Sequence, residues 1–505
     1  MLAVFLNKDK YKYDIHSLIK AFYPDQDVKM LLPQESAGMH SDEGIISITL
    51  YMCEEQGYIE LVLTRPDGTS MRKKTACSMG DQEHSTVQAD YATNGSKESL
   101  QTPKNALKQI IYEALSAEKK AVLPWGTLTG IRPVKIPMML LEEGRSRQEI
   151  HDYMKSVFYA SEEKTELSID IAEREHRLLR GIDYKKGYSL YIGIPFCPTT
   201  CLYCSFTSYP IGAWEKEVDD YVTCLEKEID YVAQSFADKQ LDTIYIGGGT
   251  PTTLLPEQMD RLLGKLESVL DYSHLRELTV ESGRPDSITP AKLAVMKKHH
   301  VSRISVNPQT MHDKTLKMIG RQHTVQQTID AYYMAREQGF DNINMDIILG
   351  LPGETEDDVR TTMEEIRKLR PDDLTVHSLA IKRASRLQEW IRENGIKTIN
   401  NTDDMMRIAA EGADRMGLKP YYLYRQKNMA GNFENTGYAV EGKAGIYNIL
   451  IMEEKESIIA LGAGSVSKAV YDGGRIERCD NVRDVKLYME KIEEMIARKH
   501  RLFGN

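Results

Sequence analysis

Three cysteines fall close together as Cys197-Pro-Thr-Thr-Cys201-Leu-Tyr-Cys204, directly after the apolar run Ser-Leu-Tyr-Ile-Gly-Ile. A [4Fe–4S] cube has four irons and commonly takes four thiolates. Three thiolates at Cys-x3-Cys-x2-Cys spacing can hold three of those irons and leave the fourth open to chelate a small molecule. A structural zinc ion would need a fourth ligand, usually from a second CxxC-like pair. No such pair lies downstream, and no histidine stands near the triad. Cys197, Cys201 and Cys204 are therefore the candidate cluster ligands. Tyr203, just before the last of them, could shield a flat ring of the chelated molecule, although packing is its plainer role. Cys53, Cys77, Cys224 and Cys479 are scattered and read as small buried hydrophobes. An odd count with one tight cluster does not form a disulfide framework.

An iron with an open position suits S-adenosylmethionine (SAM), whose amino and carboxylate groups can bind it. An electron from the cluster can then break the sulfonium bond and release a 5′-deoxyadenosyl radical. Other residues of matching chemistry recur where apolar runs end. Gly247-Gly248-Gly249-Thr250 closes the second run, and successive glycines let backbone approach a charged ligand and turn N–H groups toward it. The third run ends at Glu281, the fourth near Gln309, the fifth at Asp346 and the sixth at Ser378. Glu281 or Asp346 could bind ribose hydroxyls or a positive centre, and Gln309 could bridge ligand groups. Arg321 could clamp a carboxylate with two hydrogen bonds.

These residues need a frame that brings strand ends together. From Tyr188 short apolar strands alternate with longer helical stretches: SLYIGI, DTIYIG, ELTVES, RISVN, NINMDIIL and LTVHSLA. Between the first two strands, Val218, Tyr221, Val222, Leu225, Ile229 and Val232 share one helical face. Pro256 and Pro290 suit first helical positions, Thr355 with Asp358 forms a capping box, and Gly339 suits a helix end. Such alternation predicts an α/β fold with a parallel sheet, a partial (β/α)6 barrel whose site lies at the C-terminal strand ends. The chain of 505 residues suggests about three domains. The expected division is an N-terminal α+β domain over 1–182, the core barrel over 183–382, and a smaller α+β domain over 383–505 that covers the substrate. In the first of these, GIISITLYM and GYIELVLTR flank a hairpin turn at Glu54–Gly57, Gly80–Ser99 is a loop, and 103–118 is helical. In the last, 385–417 is mostly helical, Tyr447–Met452 and Ser457–Leu461 are strand-like, and Val482–Lys499 is a charged helix.

The formal net charge of −10 carries no basic surplus or stripe of the kind a general nucleic-acid binder shows. No apolar run approaches the roughly 18 residues that span a bilayer. The start, MLAVFLNKDK, reads as a first strand rather than a signal peptide, and the expectation is a cytoplasmic protein.

Taken together, LYIGIPFCPTTCLYCSF, IGGGTPT, the strand ending in Glu281, RISVNPQTMHDKTLKMIGRQHT and NMDIILGLPGET resemble the coproporphyrinogen III oxidase-like branch of the radical SAM superfamily. The resemblance covers about 188–380, and PWGTLTGIRPVK and PYYLYRQKNMAGN extend it outward. It implies a [4Fe–4S] cluster and SAM as cofactors. It implies that Tyr191 lies near the SAM methionine group and that Gly248, Gly249, Thr250, Glu281, Gln309, Arg321 and Asp346 contact SAM. The implied activity belongs to porphyrin and haem biosynthesis: an oxidoreductase that decarboxylates two propionates of coproporphyrinogen III to vinyl groups without oxygen, giving protoporphyrinogen IX. A flavodoxin or ferredoxin would be the electron donor. This chain has Gly193 where the bacterial dehydrogenase has His, and Phe206 where it has Cys. Haem-chaperone members carry a His-Asn-x-x-Tyr-Trp-type motif, whereas Asn432–Tyr438 holds no His. A haem-binding carrier, or another radical reaction on a tetrapyrrole, is the competing reading.

Overall fold

The computed structural model describes residues 2–24, 26–32, 46–53, 56–77, 102–206, 208–382, 385–395, 399, 401–426 and 433–504. The chain divides into two compact units, Met1–Asp170 and Ile171–Asn505. The first carries β1 (Leu2–Leu6), β2 (Val28–Leu31), β3 (Ile46–Cys53), β4 (Tyr58–Thr64) and β5 (Ser70–Ala76) in one sheet of order β2-β1-β3-β4-β5. β4 alternates fully buried with half-buried side chains, and β3 does so with exposed ones over most of its length, so one face packs a core. Leu18, Ile48, Leu61 and Leu107 meet there, and the expected helix runs from Pro103 to Lys119 behind an N-cap at Thr102. β3 pairs antiparallel with β4. The turn residues Glu54 and Glu55 and the loop expected over Gly80–Ser99 lie outside the described residues.

The second unit carries β6 (Gly187–Ile194), β7 (Phe196–Cys197), β8 (Tyr209–Pro210), β9 (Gln240–Gly248), β10 (Glu277–Val280), β11 (Arg303–Ser305), β12 (Ile343–Leu349) and β13 (Asp373–Ser378). It continues with β14 (Lys419–Tyr424), β15 (Asn435–Ala439), β16 (Ser457–Leu461), β17 (Val466–Val470) and β18 (Ile476–Asp480). Six strands, β6 and β9 to β13, lie side by side in sequence order and pair parallel. Helices connect them as the α/β pattern requires. Val218–Ser235 buries the predicted face, Pro256 and Pro290 open their helices, and Thr355 caps Glu356–Leu369 with Asp358. Gly339 takes φ 82 one residue past the cap of Val325–Glu337.

The sheet does not stop at these six. Its order is β14-β15-β13-β12-β11-β10-β9-β6-β16-β17-β18, so segments after residue 383 extend both edges. β15 pairs antiparallel with β13, while β16 pairs parallel with β6. Tyr447–Met452 is not a strand: Ile446–Glu453 is a helix. Its run of apolar residues lacks the polar alternation that separates strand from buried helix. The carboxylate of Glu277 decides the matter by accepting the Ile446 N–H at 2.6 Å, at the positive end of the helix. The charged C-terminal segment forms two helices, Val485–Glu490 and Ile492–Phe503.

One face of the sheet is apolar. Ile192, Ile246, Leu278, Ile304, Met345 and Leu374 join the main core beneath the helices. Side chains of the intervening residues form a polar face, which carries the candidate site.

At the opposite, N-terminal end of the strands two acids meet. A Cβ at Gly187 would sit 2.3 Å from Asp242 Oδ2 and 2.9 Å from Glu456 Oε2. Burial pushes the Glu456 carboxyl up to about 8, against the hydroxyl bond it accepts from Ser189. The folded chain thus keeps a proton that the unfolded chain releases near pH 4.3. The contribution of this group to stability therefore falls as pH rises from about 4.3 to about 8 and levels off above. Glu456→Gln is expected to gain at least ~2 °C in Tm at pH 8.5 over its effect at pH 5. Thermal melts across that range check it, and parallel curves for the two proteins would contradict it.

Candidate active site

The cysteine loop leaves β6 at Ile194 and returns at β8. β7 pairs parallel with β8, and Tyr209 N–H bonds Pro195 O at 2.8 Å, closing the loop at its base. Its crown is held from other segments. Leu202 N–H donates to Ile319 O at 2.9 Å and Leu387 N–H to Leu202 O at 2.9 Å. Thr199 Oγ1 donates to Gly320 O at 3.1 Å, and the Arg386 guanidinium donates to Thr200 O. The loop is therefore preformed by backbone bonds.

All three thiols are free and half-buried. Burial pushes Cys197 up to about 11 and raises Cys204 as well. Tetrahedral zinc would need a fourth ligand beside the three thiols. Three thiolates on one loop fit a cube that takes one thiolate per iron. The residues present thus suit a [4Fe–4S] cluster better than a single ion.

Beside the loop, the glycine run works differently from the sequence expectation. Gly248 adopts φ 111, open to glycine, where a Cβ would press on Ile194 backbone at 3.0 Å. Gly249 N–H donates to Ile194 O and Thr250 N–H to Phe196 O, both at 2.7 Å. Gly248 N–H bonds the Glu281 carboxyl. These N–H groups are therefore occupied within the protein and do not turn toward a ligand. They dock the cysteine loop onto β9, and Thr250 Oγ1 reaches Cys197 Sγ at 3.5 Å.

Next along the sheet, Glu281 follows β10 and accepts the Tyr245 hydroxyl. Burial pushes its carboxyl up to about 7. Tyr191, Tyr245 and Tyr447 form a stack: Tyr245 and Tyr447 ring centroids are 4.5 Å apart, and Tyr191 lies 6.3 Å from Tyr245 and 6.4 Å from Tyr447. Asp346 sits at the middle of β12, not at its end. The alternation of side chains aims it to the same face as Asn344, whose Nδ2 donates to it at 2.7 Å. Asn307 Nδ2 donates to its other oxygen at 2.8 Å, and His377 lies 3.7 Å away. Burial works against the Asp346 charge, but His377 and Asn344 more than offset it and hold its pKa low.

Gln309 takes φ 66, rare for a residue with a side chain, and bridges to Ile347. Its N–H donates to Asp346 O at 2.8 Å. Arg321 is 7% exposed and donates from Nη1 to Asn307 O at 2.6 Å. It also bonds Cys201 and Tyr203. Tyr203 packs against the apolar group of Leu316, Ile319, Leu351 and Leu379. The structure thus brings the candidates into linked groups: Cys197 with Gly249 and Thr250, Gly248 with Glu281, and Cys201 with Tyr203, Arg321, Gln309 and Asp346 through Asn307.

Gln309 Oε1, Asn307 Oδ1 and Arg321 Nε are buried without a partner. Buried polar atoms are normally paired. Three orphans on one polar face fit a polar ligand such as SAM. Sequence reasoning missed Tyr245, Asn307, His377 and Tyr447. Tyr245 lies two residues before Gly247 and His377 two after Thr375, alternating with the apolar Leu374 and Val376, so the two-residue period of the strands was the available signal. Tyr447 carried none, because its helix was read as a strand.

A family model described as Radical SAM superfamily matches residues 191–366. Over 408 residues the chain is 41% identical to the oxygen-independent coproporphyrinogen-III oxidase-like protein HemZ of Bacillus subtilis, covering 80% of this chain and 81% of that one. It is 32% identical to the heme chaperone HemW of Bacillus subtilis, over 61% of this chain and 76% of that one. The solved coproporphyrinogen III oxidase (HemN) of Escherichia coli, a radical SAM enzyme, superposes with a TM-score of 0.50 at 20% identity, covering 62% of this chain and 70% of that one. With its loop, sheet and matched span in agreement, the chain belongs to the oxygen-independent coproporphyrinogen-III oxidase-like family of the radical SAM superfamily, whose cofactors are a [4Fe–4S] cluster and SAM.

Proposed function

We propose that the protein is an oxidoreductase that decarboxylates the propionates of coproporphyrinogen III to vinyl groups without oxygen. The observation that carries this reading is the likeness to HemZ, which runs far beyond the radical SAM span into both flanking regions. When bound, the cluster and SAM supply the 5′-deoxyadenosyl radical that takes a β-hydrogen from a propionate. The chain's own residues do the rest. Cys197, Cys201 and Cys204 would hold three irons, on a loop fixed by Ile319, Gly320 and Arg386. Glu281 and Asp346 offer acceptors for a ribose or for the amino group of SAM, and Gln309 and Arg321 offer the unpaired atoms beside them. Tyr191, Tyr203, Gly248, Gly249 and Thr250 line or shape that pocket. Each propionate radical would then lose carbon dioxide and pass one electron to an external one-electron acceptor, leaving a vinyl group, while a separate flavodoxin- or ferredoxin-type donor would supply the electron for each SAM cleaved.

Gly193 is not demanded by packing: a Cβ there would make ordinary contacts of 3.4 Å with Leu461 O and the Tyr191 ring. Phe206 is 75% exposed beside the last cysteine. By the resemblance, these two positions bear on a second SAM and on substrate handling. The haem-carrier reading has the likeness to HemW in its favour. One assay separates the readings. Protein reconstituted without oxygen is given SAM, a reductant and coproporphyrinogen III, and products are followed by mass spectrometry. The expected result is mono- and divinyl products with 5′-deoxyadenosine. SAM cleavage with coproporphyrinogen left intact rejects this substrate, and stoichiometric haem binding without turnover supports the carrier.

A further inference from the structure

Arg284 follows β10 three residues after Glu281 and is 3% exposed. Its guanidinium is fully committed. Nε and Nη2 grip Asp286 at 3.0 and 2.6 Å, and Nη1 donates to Thr199 Oγ1 at 2.9 Å. The same Nη1 also reaches Thr199 O at 3.4 Å and Cys201 Sγ at 4.0 Å. Arg321 approaches the same sulfur from another segment. Of the three candidate ligands, Cys201 therefore faces two arginines, whereas Cys197 faces the Thr250 hydroxyl. His323 adds no charge here, since burial and Arg321 hold it down at about 4.

A buried cation held by a carboxylate on its far side has a fixed aim. Asp286 orients the fork so that one N–H points at the sulfur, and the Pro285–Ser287 turn fixes Asp286. Cluster potentials respond to hydrogen bonds at the ligand sulfurs and to local charge. Reduction adds one negative charge to the cluster, and an N–H aimed at a ligand sulfur favours that state.

We propose that Arg284 tunes the reduction potential of the cluster through Cys201, raising it so that a one-electron donor can load it. The inference rests on the assignment of Cys197, Cys201 and Cys204 as cluster ligands. Arg284 acts through Cys201 and is a positioning and tuning residue.

The test uses the full chain, reconstituted without oxygen, with iron and sulfide content measured beside a redox titration followed by EPR. Arg284→Gln is expected to keep its cluster while the ratio of reduced to oxidised cluster at the wild-type midpoint falls at least tenfold, a shift of about 59 mV for one electron. Arg284→Lys keeps the charge and shifts less. Asp286→Asn leaves an amide oxygen to hold the fork while removing the opposing negative charge, and shifts the midpoint upward. A purely structural arginine would change cluster content and leave the midpoint of the surviving cluster alone. Unchanged midpoints in Arg284→Gln with normal iron content overturn the proposal. If Arg284→Gln fails to hold a cluster, unchanged midpoints in Arg284→Lys and Asp286→Asn overturn it. A wild-type protein that takes up no cluster defeats the cysteine assignment instead.

Discussion

Gly249→Ala is expected to fold and to lose its iron–sulfur cluster. A Cβ at Gly249 would lie 2.6 Å from Phe196 O, 3.0 Å from Phe196 C and 2.9 Å from Cys197 Sγ. Two of these are backbone atoms of β7, so no side chain can swing aside to relieve them. The neighbouring strands are locked in register, with Ile194 opposite Gly248. The methyl group must therefore push β7 outward and carry Cys197 with it. Overpacking of this kind costs about 1–3 kcal/mol, which a sheet so well buried withstands. A cluster does not withstand it, because its ligand would move from its iron. Iron and sulfide content after reconstitution, beside a thermal melt, checks the outcome. A cooperative melt lowered by only a few degrees, with little iron, is expected, and full cluster content would contradict the packing described for this loop.

Alanine at any one of Cys197, Cys201 or Cys204 is expected to reduce SAM cleavage to background, while alanine at Cys53, Cys77, Cys224 or Cys479 leaves it intact. The first three sit on one strapped loop at the end of β6, and each would hold a separate iron. The others are dispersed. Cys77 belongs to the core of the first unit, and Cys224 packs in the main core beneath the sheet. Cys53 closes β3 and Cys479 lies in β18. The two sets should separate cleanly by the charge-transfer absorbance of the reconstituted proteins and by 5′-deoxyadenosine formed.

What could be read from the sequence was local. The cysteine spacing, the capping box at Thr355 and the six strand–helix repeats each depend on residues a few positions apart. Glu281 and Asp346 stood out because an acid interrupts an apolar strand. What depended on distant partners was hidden. Nothing in the run Ser457–Leu461 says that it pairs beside β6, or that β15 pairs with β13. Tyr447–Met452 has strand composition, yet the carboxylate of Glu277 seats it as a helix. Asp346 was placed at a strand end because the period of two gives the face of a residue but not its height along the strand. The N–H groups of Gly248, Gly249 and Thr250 looked free for a ligand, and only the neighbouring loop shows that they are taken. Arg284 stands before a proline and reads as a turn residue. Its aim at Cys201 depends on Asp286 and Thr199 together.

The central claim is that Cys197, Cys201 and Cys204 hold a cluster that opens SAM. The most direct measurement is 5′-deoxyadenosine released under anaerobic conditions from SAM and a reductant, by the wild type and by the three single alanine variants, with iron counted in each. The account predicts four irons per wild-type chain, release that requires the reductant, and background release from all three variants. Undiminished release from any of the variants, or none from a wild-type protein carrying its four irons, would contradict it.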